Sequence, residues 1–366
     1  MCSLMLADQG AEVIKIEQPV SGDYARWYVP RVGDYAAVFH AMNRNKSSVV
    51  LDLKQPEGQD LLFQLVKTAD VLLESFRPQV SQKLGLDFAT LSGINPRLIL
   101  CSLSGFGQTG PLAHIAGHDL NFAGLSGVLA AGEGGVLPIQ AMDFGGAYMA
   151  AFAISTALYQ REKSGQGCPI DVALLDSGLS LMTLARAETF ARSAPPRPAG
   201  EALTGGYACY RVYTCADGGA LTLAALEPKF WETFCALAER PDLARLNFLD
   251  PDPAVQAQLR QELEALFLGQ TRAAWVERLS AAETCANEVL TVAEAETQPQ
   301  IQARQALYHA DGVAHTFTPF HLGLPWEQRI SHQAAPALGQ DTWRILSQMG
   351  LGQAELDRLQ AMQVIN

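Results

Sequence analysis

Residues Ala116 to Gly127 read AGHDLNFAGLSG, with His118 and Asp119 side by side between glycines and apolar Leu120, Phe122, Leu125 and Val128 following them. A titratable pair in so apolar a setting has three uses: packing, metal ligation or proton transfer. His114 and His118 are four apart and would share a helix face as ligands. No third ligand other than Asp119 arrives at a matching spacing, and Gly117 weakens such a helix, so no metal site is expected. Proton transfer needs further acid–base groups, and two carboxylates offer themselves. Asp143, in PIQAMDFGGAYM, stands at the start of an apolar helical run; Glu227, in LAALEPKFW, closes an apolar strand just before a proline at a helix start. Either also suits a helix N-cap, where a carboxylate accepts a backbone N–H, and the pattern leaves both roles open. Gly145 and Gly146, soon after Asp143, are placed to leave N–H groups for an oxyanion.

The elements that must position these residues alternate in type. AEVIKIE (Ala11–Glu17), SVVLDLK (Ser48–Lys54), DVLLES (Asp70–Ser75) and RLILCSLSG (Arg97–Gly105) read as short buried strands. Between them, EGQDLLFQLVKTA carries Leu61, Leu62, Leu65 and Val66 on one helical face. Alternation of this kind predicts an α/β fold with a parallel sheet covered on both faces. Ligands of such sheets bind beyond the carboxyl ends of the strands. Arg26, Arg44, Lys46, Lys54, Arg77 and Lys83 gather in this first third of the chain, and a phosphorylated anion would suit them as well as plain solvation would. GFGQTG (Gly105–Gly110) has the spacing of a dinucleotide-binding loop, but Pro111 and a loop-like stretch follow where a helix should open. These glycines are expected to turn the chain sharply or to let the backbone pass close to a ligand.

FGGAYMAAFAISTALYQREK (Phe144–Lys163) predicts a long buried helix, and IDVALLDSGLSLMTLARAETF a strand and a further helix. RSAPPRPAGEALTGG lacks periodicity and marks a linker. After it the pattern changes to a hairpin, YRVYTCADGGALTLAAL, and then amphipathic helices. The expected division is a large domain over 1–190, a linker over 191–205, a small α+β domain over 206–297, and a linker with a C-terminal return to the large domain over 298–366, the return beginning at HLGLPWEQRI with one more helix.

The 366 residues, 48% of them hydrophobic, suffice for a large core, and two domains are the natural expectation. A net charge of −12 gives no general pull toward nucleic acid or anionic lipid. The seven cysteines are scattered without a C-x-x-C, as in a reducing compartment, and no apolar run of membrane-spanning length or signal pattern appears. A cytoplasmic location is expected, with no nucleic-acid or membrane partner.

Taken together, LADQGAEVIKIEQPVSGDYAR, FHAMNRNKSSVVLDLK, ADVLLESFRP, INPRLILCSLSGFGQTGP, AGHDLNF, MDFGGAYMAAFAISTALYQREKSGQG, IDVALLDSGLSL, VLTVAEAETQPQIQAR and PALGQDT resemble the family III CoA-transferase (CaiB/BaiF) family nearly end to end. The G-H-D-x-N element with D-F-G-G and E-P-x-F-W is most similar to its α-methylacyl-CoA racemase subgroup. The resemblance implies a Rossmann-like large domain, a small domain reached by long linkers, and an interlocked homodimer with active sites shared between subunits. It implies His118 and Asp143 as acid–base groups on opposite faces of the substrate α-carbon, with Glu227 orienting or polarising His118 across the subunit boundary. It implies CoA contacts at Arg26, Leu51, Lys54, Ser75, Phe76, Lys83, Gly117, Asp119, Asn121 and Phe122. Racemisation beside a thioester carbonyl needs two such groups and donors for the enolate, and no metal or redox cofactor; CoA enters as part of the substrate.

Two departures bear on this reading. The family normally begins with a strand and a Pro-containing loop before the helix that here reads MCSLMLADQGA, so the first family strand is expected to be absent. Asp176, in DVALLDSGL, matches the nucleophilic aspartate of the family's transferases, where an acyl–aspartyl anhydride would form. Racemase, transferase and a CoA-binding protein without chemistry therefore stand as alternatives.

Overall fold

The computed structural model describes residues 1–132, 134–198, 200–280, 282–316 and 332–366. The HLGLPWEQRI stretch assigned to the C-terminal return lies outside the described residues. The chain forms two compact units, the first comprising 1–126, 137–180 and 299–366 and the second 127–136 and 181–298.

In the first unit, helix α1 (Cys2–Asp8) precedes strand β1 (Val13–Glu17), and β1 pairs in parallel with β2 (Lys46–Val50). A second parallel sheet runs in the order β3 (Val71–Glu74), β4 (Ile99–Ser104) and β5 (Pro169–Ala173). The fold is thus mixed α/β with parallel sheets. Among the described residues no strand joins the two sheets. Each strand starts within two residues of its apolar run; β1, β3 and β4 stop at polar residues, whereas β2 and β5 run straight on into Leu51 and Leu174.

Two core layers show the double cover. On one side Cys2, Cys101, Ala147, Ala150, Ile154 and Val172 cluster. On the other, Val49, Leu61, Leu62, Val66, Leu98 and Leu100 pack with Ile345, Leu346, Leu356 and Leu359. The last four belong to helices Thr342–Gln348 and Gln353–Ala361, so the tail packs onto the first unit with two helices where the sequence suggested one.

Helices α2 (Pro56–Val66), α3 (Pro78–Lys83) and α4 (Phe88–Ile94) follow the strands, and α5 (Asp119–Ser126) follows the glycine loop. The long helix α6 (Ala141–Ser164) ends at Gly165, whose φ of 71° terminates it in the left-handed region. It is not buried all round. Gly146, Ala147, Ala150 and Ala157 let one face lie against the sheet, while Tyr148, Phe152 and Tyr159 stand exposed on the other. Small residues allow close approach on the inner side, and the apolar bulk that suggested full burial sits outside. Helix α7 (Leu174–Leu181) follows β5 directly.

The second unit holds helix α8 (Thr183–Arg192), which the sequence reading attached to the large domain. The expected hairpin is present as antiparallel β6 (Tyr210–Thr214) and β7 (Ala220–Ala224). A third strand, β8 (Ala286–Glu288), pairs with β7; at three residues it is too short to show a period. Helices α9 (Pro228–Leu237), α10 (Pro253–Phe267) and α11 (Arg272–Leu279) cover the sheet, burying Trp231, Phe234, Leu263, Phe267 and Trp275. No helix among the described residues is long and apolar enough to cross a membrane.

Candidate active site

Three helices of the first unit begin at the same place. His118 immediately precedes α5, and its carbonyl accepts the first helical N–H bonds, from Asn121 and Phe122. Asn121 returns a side-chain bond, its Oδ1 accepting the His118 N–H at 3.0 Å. Asp119 reaches across to α6, where its Oδ1 accepts N–H bonds from Met142 at 2.7 Å and Asp143 at 3.0 Å. From α7, Ser177 Oγ donates to the Met142 carbonyl at 2.9 Å. The contact is close because Gly146 has no side chain: a Cβ there would lie 2.4 Å from Leu174 Cδ2.

This arrangement decides one role the sequence left open and corrects one expectation. Asp143 is not the cap of α6; it lies within the first turn, and Asp119 supplies the capping oxygen. Gly145 and Gly146 lie inside the helix, where N–H groups bond the carbonyls four residues back and are not available to an oxyanion. At the start of α5 the amides of Asp119 and Leu120 have no acceptor among the described residues, and neither does that of Ala141 at the start of α6.

His118, Asp143 and Asp176 are all exposed at these helix starts. Burial of its surroundings raises the Asp143 carboxyl above its ordinary value, and the Asp119 carboxylate adds to the rise, while His118 draws it down. His118 and Asp119 are therefore both close enough to act on Asp143. Glu227 belongs to the second unit, exposed at the N-cap of α9, and its side chain makes no capping bond.

The residues implied to touch CoA divide into two groups. Lys54, Ser75, Phe76 and Lys83 are exposed at or beyond strand ends, together with Arg77. Arg26 is wholly buried: its Nε and Nη2 bond Glu17 at 2.8 and 2.6 Å, its Nη1 bonds the Pro336 carbonyl, and its guanidinium lies 3.9 Å from the Phe39 ring centre. It offers no surface to a ligand here. Leu51 is likewise in the core. Of the other basic residues, Arg44 is paired with Asp8, and Lys46 bonds the Met42 carbonyl and Asn43. The exposed cations are thus half of those the sequence offered, and a charge count cannot tell the two halves apart.

Burial pushes the Glu17 carboxyl upward, but the bonds from Arg26 and Ser48 outweigh it and hold the group below its usual range. Such a depressed carboxylate contributes stability above the unfolded pKa of about 4.3. That contribution is lost as the pH falls through the folded value. Arg26→Ala should lower stability by about 3–5 kcal/mol by leaving Glu17 buried and unpaired. Denaturant unfolding measures this; a loss of CoA affinity at unchanged stability would instead assign Arg26 to the ligand.

Phe122 is buried too, its ring edge-to-face with Phe106 at 5.1 Å. A Cβ at Gly105 would sit 2.6 Å from this ring, and one at Gly117 would sit 2.7 Å from it. The glycines of GFGQTG therefore turn the chain and make room for an aromatic side chain, with no helix opening behind them. Gly117→Ala should displace Phe122 and the adjoining His118, lowering the melting temperature by several degrees, a shift expected from overpacking of about 1–3 kcal/mol. A thermal melt equal to wild type would show that the ring yields freely.

A further set of potential ligands, Asp311, His315 and His332, lies elsewhere in the first unit. Its imidazoles are already engaged: His315 with Arg44 and the Ala310 carbonyl, His332 with Tyr308 and Asp311. A cavity of about 480 Å³ bounded by Ser81, Leu86, Ser102, Gln108 and Asp171 is lined by none of the candidate catalytic residues.

The parallel α/β unit carries exposed His118 and Asp143 at adjoining helix starts, residue types with acid–base capacity that do not by themselves name one reaction. Residues 1–342 match the family model of CoA-transferase family III, and the chain belongs to that family. It is an enzyme of this group of acyl-CoA racemases and CoA-transferases. The chain is 33% identical over 373 residues to the alpha-methylacyl-CoA racemase of Homo sapiens, covering 100% of this chain and 93% of that protein. It is 35% identical over 319 residues to the acetyl-CoA:oxalate CoA-transferase of Acetobacter aceti, covering 84% and 81%. Among solved structures, a CaiB/BaiF family protein from Brucella suis superposes with a TM-score of 0.81 at 29% identity, covering 95% of this chain and 94% of that one.

Proposed function

We propose that the protein is an acyl-CoA racemase that inverts the α-carbon of a 2-methylacyl thioester by two-base proton transfer. The observation that carries this reading is the placement of His118 and Asp143 at adjoining helix starts, tied together by the Asp119 carboxylate, with burial and Asp119 shifting the Asp143 carboxyl upward. One group removes the α-proton and the other returns a proton to the opposite face. The Asp119 and Leu120 amides are suited to the negative charge that develops on the thioester oxygen. Exposed Lys54, Arg77 and Lys83 suit the CoA phosphates, with Ser75 and Phe76 beside them. CoA arrives as part of the substrate, and the chemistry needs no other cofactor.

The exposed stripe of Tyr148, Phe152 and Tyr159 on α6 supports a homodimer, because an apolar face of this kind is suited to burial against a second copy. In that assembly Glu227 of one copy orients His118 of the other. All seven cysteines are free thiols, which suits a reducing cytoplasm.

A second reading has its own support. Asp176 is exposed in the first turn of α7, next in sequence to Ser177, whose bond to the Met142 carbonyl ties α7 to the start of α6. As a transferase nucleophile its carboxylate would attack the thioester carbonyl, expel CoA as thiolate and form a mixed anhydride. The deciding measurement is deuterium incorporation at the α-carbon of a 2-methylacyl-CoA in deuterated water with no acceptor acid. Incorporation with both epimers accumulating is the expected result. A folded, CoA-binding protein that exchanges nothing would favour Asp176 and a screen of acceptor acids.

A further inference from the structure

The carboxylate of Asp119 lies next to the acid–base pair but is bonded away from it. Its Oδ1 takes both the Met142 and the Asp143 N–H bonds, at 2.7 and 3.0 Å. It therefore fixes the turn of α6 that carries Asp143, from a residue 24 positions earlier in the chain. It also occupies the N–H groups at the positive end of the helix. In an ordinary first turn those groups favour an ionised acid and lower its pKa. Here they face a second carboxylate.

We propose that Asp119 is a positioning residue for Asp143: its carboxylate holds the first turn of α6 in place and sets a negative charge directly beside the Asp143 carboxyl. The inference rests on the acid–base reading of Asp143 given above. Asp119, which opens α5, and His118 just before it are the groups that act on Asp143, in opposite directions, and Asp176 on α7 is the other titratable group among these helix starts. Burial and the Asp119 charge together outweigh His118 and shift the Asp143 carboxyl upward. An acid that must return a proton to an enolate near neutral pH benefits from such a rise.

Charge and cap can be separated by substitution. Asp119→Asn keeps an oxygen for the two N–H groups and removes the charge; Asp119→Ala removes both. The test has two readouts on the full-length protein: the carboxyl carbon-13 titration of Asp143, and the pH dependence of α-proton exchange measured separately for each epimer. In Asp119→Asn the Asp143 titration should move to lower pH, as for removal of a neighbouring like charge. The limb of the exchange profile that Asp143 governs should move with it, at an unchanged melting temperature. In Asp119→Ala, exchange on the Asp143 face should drop at least about tenfold, a size within general acid–base effects. The Asn variant should recover most of that loss at its new optimum.

An unshifted Asp143 titration in Asp119→Asn overturns the proposal, whether or not the protein exchanges protons. So does an equal loss on both faces with no change in the profile, the mark of a merely structural role. If wild-type protein exchanges nothing while its Asp143 titration still falls in Asp119→Asn, the racemase reading has failed and the influence of Asp119 on Asp143 stands.

Discussion

In His118→Ala, α-proton exchange from one 2-methylacyl-CoA epimer should fall by about 10²–10⁴-fold, the usual contribution of a positioned general base. Exchange from the other epimer should persist without inversion. Asp143→Ala should show the mirror result. On the two-base reading proposed above the two variants differ in sense because each group would serve one face of the planar enolate: the residue that removes the proton from one epimer returns it to form that same epimer in the reverse reaction. With one base absent, the remaining group can still remove and return a proton on its own face, so deuterium enters with retention and epimerisation stops. Folding should be little disturbed, since the His118 and Asp143 side chains are exposed and the helix starts are held by Asp119, Asn121 and Ser177. The measurement is proton NMR of each purified epimer in deuterated water. Equal losses from both epimers in either variant would sink the two-base mechanism.

Asp176→Ala should leave exchange within a few-fold of wild type, a change of less than about 1 kcal/mol in the barrier. Its side chain is exposed in the first turn of α7, whereas the neighbouring buried Ser177 holds α7 to α6 through its bond to the Met142 carbonyl. Removing the carboxylate therefore takes away a possible nucleophile without loosening the scaffold. The transferase reading demands the opposite: acyl transfer to an acceptor acid vanishes in this variant, and a covalent adduct trapped by hydroxylamine in wild type vanishes with it. A loss of exchange in Asp176→Ala as deep as in His118→Ala would show that Asp176, not the His118–Asp143 pair, organises the chemistry.

Much of the scaffold is legible locally because its signals are local. An apolar run such as VLLE or ILCSLS declares a buried strand, the spacing of Leu61, Leu62 and Val66 declares a helix face, and Asp-Gly-Gly between alternating segments declares a hairpin. The candidate chemistry is legible for a related reason. A histidine and carboxylates in apolar surroundings at predicted element boundaries are few, and His118, Asp143, Asp176 and Glu227 all stand at such boundaries in the structure.

What sequence patterns leave open is which polar groups already have partners. Arg26 resembles a ligand-binding arginine until Glu17, Ser48 and the Pro336 carbonyl, drawn from distant parts of the chain, are seen to close a buried network around it. Phe122 resembles a ligand contact until its ring is found packed close to Gly105 and Gly117. Asp143 resembles a helix cap until Asp119 is found in that place. Periodicity reports which face of an element is apolar, a property of neighbours within a turn or two. Hydrogen bonding and burial depend on atoms brought together from remote positions. The residue types and their order therefore determined the α/β elements and the acid–base inventory of this protein, and only the tertiary structure decided which of those side chains remain free to meet a substrate.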